Sequence, residues 1–197
     1  MSAKKQKASQ KPSPKPSPKP ATKPSPKPAT KAAAKPAPML GSVMVVGGGI
    51  AGVQAALDLA DTGYFVYLVE KSSAIGGVMS ALDKTFPTND CSMCILSPKL
   101  VECGRHLNIE IITLADVQQV TGQAGNFQVQ LRQRARYIDM EKCIACGTCA
   151  EKCPRKVPDE YNEGLGKRKA AYVKYPQAVP LKYAIDKDHC IYFEKGK

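Results

Sequence analysis

Acidic and aromatic residues are absent from the first 38 residues, which hold ten lysines and ten of the sixteen prolines of the chain. Without aromatic rings on which bases could stack, this segment is poorly suited to recognising single-stranded nucleic acid. Its closely spaced prolines remove amide donors and fix φ, so neither a helix nor a sheet can propagate. We therefore expect residues 1–38 to be a disordered Lys/Pro-rich tail.

The formal charge of +12 belongs to this tail, because the rest of the chain carries 19 basic and 17 acidic side chains, a net charge of +2. A nearly neutral body argues against a nucleic-acid-binding domain. Ten lysines without an acid nevertheless create a positive field, so the tail could attract a nucleic acid, an anionic membrane or an acidic partner protein.

The chain also lacks an unbroken hydrophobic run long enough to span a membrane. The apolar stretch Met39–Ala60 contains Gln54, Asp58 and, within Gly47–Gly52, four glycines, and a spanning helix would bury those polar groups at considerable cost. Cysteine is absent before Cys91, and all eight cysteines lie in groups between there and Cys190. Grouped thiols indicate metal binding or redox chemistry in a reducing, cytoplasmic compartment rather than a secreted disulfide scaffold.

A short β-branched run at Ser42–Val46 is followed at once by the sequence Gly47-Gly-Gly-Ile-Ala-Gly52. An apolar stripe at helical spacing then continues to Asp61, and Phe65–Val69 gives a second strand that ends at Glu70. This order of strand, glycine-rich turn, helix, strand and acidic residue is that of a dinucleotide-binding βαβ unit. The alternative is a glycine-rich loop in another kind of doubly wound protein.

Each part of this pattern has a role in holding a dinucleotide. Gly47 permits the tight turn, Gly49 lets the backbone approach a pyrophosphate, and Gly52 lets the helix pack closely on the strand. Glu70 is placed to accept hydrogen bonds from ribose hydroxyls. The segment from Glu70 to Gly77 resembles an extension found in two-dinucleotide-binding flavoproteins, which favours FAD over NAD. The candidate cofactor-binding residues are Gly47, Gly48, Gly49, Ile50, Ala51, Gly52, Glu70, Lys71, Gly76 and Gly77.

A second motif lies in the last third of the chain. The spacing C-x₂-C-x₂-C-x₃-C-P, typical of bacterial ferredoxins that bind [4Fe–4S] clusters, is formed by Cys143, Cys146, Cys149 and Cys153 with Pro154. A zinc site or a disulfide pairing is the less favoured alternative. In two-cluster ferredoxins the fourth cysteine of such a run ligates the other cluster. Cys153 and Cys190 would then belong to a second cluster, whose remaining ligands we expect beyond Lys197.

Three further cysteines, Cys91, Cys94 and Cys103, have spacings of two and eight intervening residues. They could hold another cluster or a metal, but no fourth ligand is evident, and the spacing alone leaves burial in the core equally open. Downstream, Ile109–Thr113 is expected to be a strand. Alternating segments on either side of residues 122–126 predict an antiparallel hairpin.

With these motifs combined, the sequence resembles the A-type subunits of heterodisulfide reductase and their bacterial relatives. The resemblance rests on Gly47–Gly52, Glu70–Lys71, the long stretch Thr85–His106 and Cys143–Pro154. It implies that Cys91, Cys94 and Cys103 ligate a cluster.

The resemblance further implies an iron–sulfur flavoprotein that passes electrons between FAD and [4Fe–4S] clusters, as the electron-transfer subunit of a heterodisulfide reductase-like complex. Partner subunits and a redox donor or acceptor protein would complete that complex. In this family the flavin is credited with splitting an electron pair between two acceptors. No residue is an obvious catalytic acid, base or nucleophile.

The expected fold class is α/β. A Rossmann-like FAD-binding domain would occupy residues 39–136, with an inserted α+β ferredoxin-like domain over residues 137–197. Both domains are expected to be incomplete, because three or four candidate strands are too few for a full FAD domain. A fragment or a split subunit is therefore expected, and the activity of this chain alone is left open. The alternative function is a truncated, non-catalytic assembly module of such a complex, tethered by the basic tail.

Overall fold

The computed structural model describes residues 40–196, so the expected tail lies outside the described residues. The first part of the described chain forms a three-stranded parallel sheet with two helices. Its elements are β1 (Ser42–Val46), α1 (Ile50–Asp61), β2 (Phe65–Glu70), α2 (Ser92–Arg105) and β3 (Ile109–Thr113), and the strands lie in the order β1-β2-β3. Residue Val45 pairs with Leu68, and Leu68 pairs with Ile111. The predicted βαβ unit is therefore confirmed.

Helix α1 shows why the first part of the chain was predictable. Its buried residues are Val53, Ala56, Leu57 and Ala60, spaced at three and four positions and thus on one face. They pack against β1 and β2, where β-branched side chains fill the space between helix and sheet. The helix ends at Asp61 with Thr62 as its C-cap, and Gly63 follows with φ of +99°.

Helix α2 was not predicted. It buries Ser92, Leu96, Leu100 and Cys103, a four- and three-residue repeat that packs against α1 and the sheet. Pro98 lies inside this helix and cannot donate the usual amide hydrogen bond to the preceding turn. Packing of the apolar stripe outweighs that loss.

A hairpin follows the parallel sheet, as expected. Strands β4 (Ala115–Gln123) and β5 (Asn126–Gln133) pair in antiparallel fashion, with an irregularity between Val117 and Gln119. Most of its side chains are exposed beyond Ala115. The hairpin contacts the parallel sheet chiefly through β2.

The remaining residues form short elements. They are α3 (Thr148–Lys152), β6 (Lys156–Pro158), β7 (Lys167–Lys169), β8 (Ala171–Tyr172), β9 (Ala184–Ile185) and α4 (Ile191–Lys195). Strand β6 pairs with β7, and β8 pairs with β9, both in antiparallel fashion.

Part of this last segment belongs to the core of the nucleotide fold. Tyr175 and Ala178 are buried in the same cluster as Val53 and Leu68. Tyr175 donates a hydrogen bond to the carbonyl of Ile75. The expected boundary at residue 137 stays a prediction, and the described residues lie within one compact unit. Across residues 40–196, no helix is long and apolar enough to cross a membrane.

Candidate functional site

The glycine-rich loop joins β1 to the N-terminus of α1. Gly49 is the N-cap of the helix, and an added Cβ there would meet no atom within 4 Å. An added Cβ on Gly52, by contrast, would overlap the carbonyl oxygen of Gly47. Gly52 thus permits close helix–strand packing, while Gly49 leaves open space in front of backbone amides that a helix N-terminus directs at an anion.

The second predicted glycine pair lies against this loop. The amide of Gly76 donates to the carbonyl of Gly48 (2.6 Å). Gly77 has φ of +57°, and a Cβ on it would come within 2.9 Å of the Cα of Gly49. A side chain here would be strained and would enter the space beside Gly49. Residues 47–52 and 76–77 therefore form one backbone cradle that fits the pyrophosphate of a dinucleotide.

Glu70 lies at the end of β2, where its carboxylate is held by two backbone amides. Oε2 accepts from Gly48 N and Oε1 accepts from Ser72 N, each at 2.7 Å. Burial by itself would raise the pKa of Glu70, but the hydrogen bonds from Ser72 and Gly48 and the charge of Lys174 outweigh it, so the net pKa is lowered. Glu70 is therefore an ionised acceptor whose remaining lone pairs are available to hydroxyl donors.

A cavity of about 830 Å³ opens beside Glu70 and Lys71. Its walls also include Arg134, from the end of the hairpin, and Lys174, from the last segment. Lys174 donates to Ser72 Oγ at 2.6 Å, and Arg134 donates to the carbonyl of Lys71. The volume lies within the range of ligand pockets, and its position next to Glu70 suits the adenosine part of a dinucleotide.

The sequence did not identify Lys174 as part of the cavity wall. It also did not identify Arg136, whose side chain connects the end of β3 to the segments on either side of the cavity. The buried guanidinium of Arg136 donates to the Ser73 carbonyl and to Thr113 Oγ1, both at 2.7 Å, and to the Lys182 carbonyl at 3.2 Å. Burial lowers its pKa from the usual value. Neither residue lies in a recognisable motif, so nothing in the sequence could have identified them.

In the ferredoxin-like run, three of the four thiols lie near enough to Tyr183 to influence its ionisation. Burial raises the pKa of Tyr183, and the charges of Cys149, Cys146, Cys143 and Glu151 raise it further. Gly147 adopts φ of +86° between two of these cysteines, which gives the sharp loop that closely spaced ligands need. Cysteine thiolates at this spacing are the donor set of iron–sulfur clusters.

The fourth cysteine of the run, Cys153, has different neighbours from the other three. Its Sγ lies 3.8 Å from the Arg155 carbonyl. Burial raises its pKa, but the amides of Ala171 and Arg155 outweigh this effect and the net pKa is lowered. An ion pair from Arg155 to Glu194 (3.2 Å) connects this region to α4, whose N-cap is Cys190.

The ferredoxin spacing is not repeated at Cys190. Phe193 and Gly196 stand where a second run would have its second and third cysteines, and the Phe193 ring packs on Tyr137 at 4.5 Å between ring centroids. Within residues 40–196, no three His, Cys, Asp or Glu side chains are gathered closely enough to form a metal site. The assignments of Cys143, Cys146, Cys149, Cys153 and Cys190 as ligands therefore stay predictions.

Helix α2 separates the third group of cysteines. Cys91 is its N-cap and Cys94 lies one turn later, both exposed, whereas Cys103 is fully buried near the other end. Nine residues along a helix correspond to about 13 Å and two and a half turns, so Cys94 and Cys103 lie on opposite faces. Burial raises the pKa of Cys103 to about 11. The structure therefore does not bring the three expected ligands together.

The parallel sheet and the two glycine-rich segments of the cradle are those of a dinucleotide-binding protein. Comparison with known proteins supports the same class. Residues 42–152 match the family described as FAD dependent oxidoreductase, and the chain belongs to this family. FAD is accordingly the dinucleotide that fits the backbone cradle and Glu70.

The resemblance to the A-type subunits of heterodisulfide reductase is confirmed by curated relatives. The chain is 57% identical over 148 residues to the A-type subunit of H₂:CoB-CoM heterodisulfide,ferredoxin reductase from Methanothermobacter marburgensis, covering 75% of this chain and 22% of that protein. It is 59% identical over 145 residues to the first of two A-type iron-sulfur subunits of CoB–CoM heterodisulfide reductase from Methanopyrus kandleri, covering 74% and 22%. The chain thus spans about a fifth of the length of these relatives.

Among solved structures, L-proline dehydrogenase from P. horikoshii matches 47% of this chain and 19% of its own. The TM-score is 0.40 and the sequence identity is 26%.

Proposed function

We propose that this chain is the flavin- and iron–sulfur-binding portion of an electron-transfer subunit in a heterodisulfide reductase-like complex. The observation that carries the proposal is the joining of two motifs in one compact unit. The run Cys143–Cys153 lies between Arg136 and Tyr175, and both of these residues are anchored in the nucleotide fold. The Methanopyrus relative is named an iron-sulfur subunit, which supports the same cofactor for this chain.

The residues that would hold FAD are the glycines of the cradle, at the pyrophosphate, and Glu70, at the ribose. The side chains of Cys143, Cys146 and Cys149 would bind one [4Fe–4S] cluster, with Cys153 and Cys190 assigned to a second. A bound flavin exchanges one or two electrons and a cubane cluster exchanges one, so their combination converts two-electron into one-electron transfer. The chain's own contribution is to bind these cofactors and to orient them.

Partners follow from the same reasoning. Relatives are named as heterodisulfide and ferredoxin reductase subunits, so we propose that other subunits and a ferredoxin-like redox protein exchange electrons with this chain. We further propose that the flavin splits an electron pair between two acceptors. We also place the chain in the cytoplasm, which eight free cysteines support.

Anaerobic purification of the full chain, followed by FAD, iron and sulfide analysis, tests the proposal. We expect FAD together with iron and sulfide in equal amounts. Cys146→Ser should lose iron and its electron paramagnetic resonance signal while keeping FAD, and Cys103→Ala should keep both cofactors. Zinc in place of iron, or flavin without iron, would contradict the proposal. A chain with neither cofactor whose complex formation depends on residues 1–38 would instead support the assembly module.

A further inference from the structure

Cys91 and Cys94 form an exposed pair at the beginning of α2. The Sγ of Cys91, the N-cap, accepts a hydrogen bond from the Cys94 amide at 3.3 Å. Residues three apart across one helical turn have Cβ atoms about 5–6 Å apart, and small adjustments bring such a pair to the geometry of a disulfide.

Within residues 40–196, the pair has no third thiol near it. Cys103 lies about 13 Å further along the same helix and on its opposite face, buried in the same core cluster as Leu100. Two thiols in the spacing C-x-x-C at a helix N-terminus, next to a βαβ unit, are the arrangement of a redox-active dithiol.

The backbone connects this pair directly to the dinucleotide cradle. Ser92, between the two cysteines, donates from Oγ to the Met79 carbonyl at 2.7 Å and from its amide to the Asp83 carbonyl at 3.1 Å. Met79 belongs to the 3₁₀ turn Val78–Ala81, which begins directly after Gly77. The start of α2 is therefore fixed to the same segment that lies against the glycine-rich loop.

We propose that Cys91 and Cys94 are a dithiol–disulfide couple that exchanges two electrons with the flavin, a role that rests on the proposed function for the FAD site. In the oxidising direction each thiol loses one proton, the Sγ–Sγ bond forms, and two electrons pass to the oxidised flavin, which becomes two-electron reduced. In the other direction the disulfide accepts two electrons and two protons, and the Sγ–Sγ bond breaks.

Mass mapping of the full chain is the first test. After treatment with excess oxidised glutathione, denaturation and alkylation, the tryptic peptide of residues 85–99 should lack both alkyl groups and be lighter by two hydrogens than the dithiol peptide. Cys103→Ala should give the same result. Cys94→Ser should give a glutathione adduct on Cys91 instead. Separate alkylation of Cys91 and Cys94 in the parent would overturn the proposal.

Anaerobic reductive titration is the second test. Starting from oxidised protein, the parent should take up two more electrons per chain than Cys94→Ser, with FAD and iron contents equal in both. Equal electron uptake would overturn the proposal, and so would a loss of iron in Cys94→Ser, which would assign the pair to a cluster.

The two proposals can fail separately. A parent chain without FAD that still forms the internal disulfide refutes the FAD site and the flavin as redox partner. A parent chain that contains FAD but forms no disulfide refutes the dithiol and leaves the FAD site intact.

Discussion

Substitution of Gly52 by alanine should separate the packing role of the loop from its ligand-binding role. A Cβ at residue 52 would overlap the Gly47 carbonyl oxygen and lie 3.1 Å from the carbonyl carbon, whereas carbon atoms at optimal contact are about 3.5–4.0 Å apart. The obstacle is backbone rather than a flexible side chain, so α1 must move away from β1. Overpacking of this kind costs about 1–3 kcal/mol, and we expect the upper half of that range.

Gly49→Ala is the matched control, because a Cβ there meets no protein atom within 4 Å. Alanine makes the unfolded chain less flexible, which stabilises the fold, but it is a poorer N-cap than glycine, which destabilises it. Because the two effects oppose each other, the free energy of unfolding should change by less than about 0.5 kcal/mol. Its methyl group would instead occupy the space in front of the helix N-terminus. We expect FAD affinity to fall at least about tenfold, or ~1.4 kcal/mol, without loss of stability.

The assays are urea unfolding of the apo chain followed by circular dichroism, and FAD titration followed by flavin fluorescence. Gly52→Ala should lower both the free energy of unfolding and FAD affinity, and Gly49→Ala should lower affinity alone. A Gly52→Ala chain as stable as the parent, or a Gly49→Ala chain destabilised to the same extent, would refute the reasoning.

Three other substitutions test contacts outside the loop. Arg136→Met leaves two buried acceptors unpaired and should cost roughly 2–4 kcal/mol of unfolding free energy, whereas the exposed Arg132→Met should cost less than about 0.5 kcal/mol; equal urea midpoints would contradict this. Glu70→Gln should be less stable than the parent at neutral pH. Because folding lowers the Glu70 pKa, the difference should begin to shrink as pH falls below the unfolded value of about 4.3 and should disappear once pH has fallen through the lower folded pKa; a difference constant from pH 3 to 7 would count against it. Tyr175→Phe removes the hydrogen bond to Ile75 and should cost about 1 kcal/mol, measured by thermal unfolding.

The sequence was informative where local pattern and tertiary environment agree. The βαβ unit was predictable because the pattern of hydrophobic residues changes between strand and helix at Gly47–Gly52 and again at Gly63. The hydrophobic residues of this pattern in α1 and β2 are the ones that are buried in the structure. The hairpin was predictable from its alternation for the same reason. Family resemblance then selected FAD over NAD, which local pattern alone did not do.

Other features depend on contacts between distant residues. Helix α2 was obscured by Pro98 and by cysteines whose spacing favoured ligation, although its buried stripe is regular. Arg136 and Lys174 acquire their roles only because the last segment folds back on residues 70–75. The wide separation of Cys94 from Cys103 required knowing that the intervening residues are helical.

The burial of Tyr175 and Ala178 in the core begun by Val53 and Leu68 has a consequence for biosynthesis. Residues more than a hundred positions apart must meet before that core is closed, and contacts at such separation are formed late and slowly. While the ribosome is still translating the cysteine run, the βαβ unit exposes the apolar surface that Tyr175 will cover. The Cys143–Cys153 loop is thus synthesised before its scaffold is finished, so the nascent chain passes through a stage with exposed thiols and an open core, when protection by a chaperone is most useful.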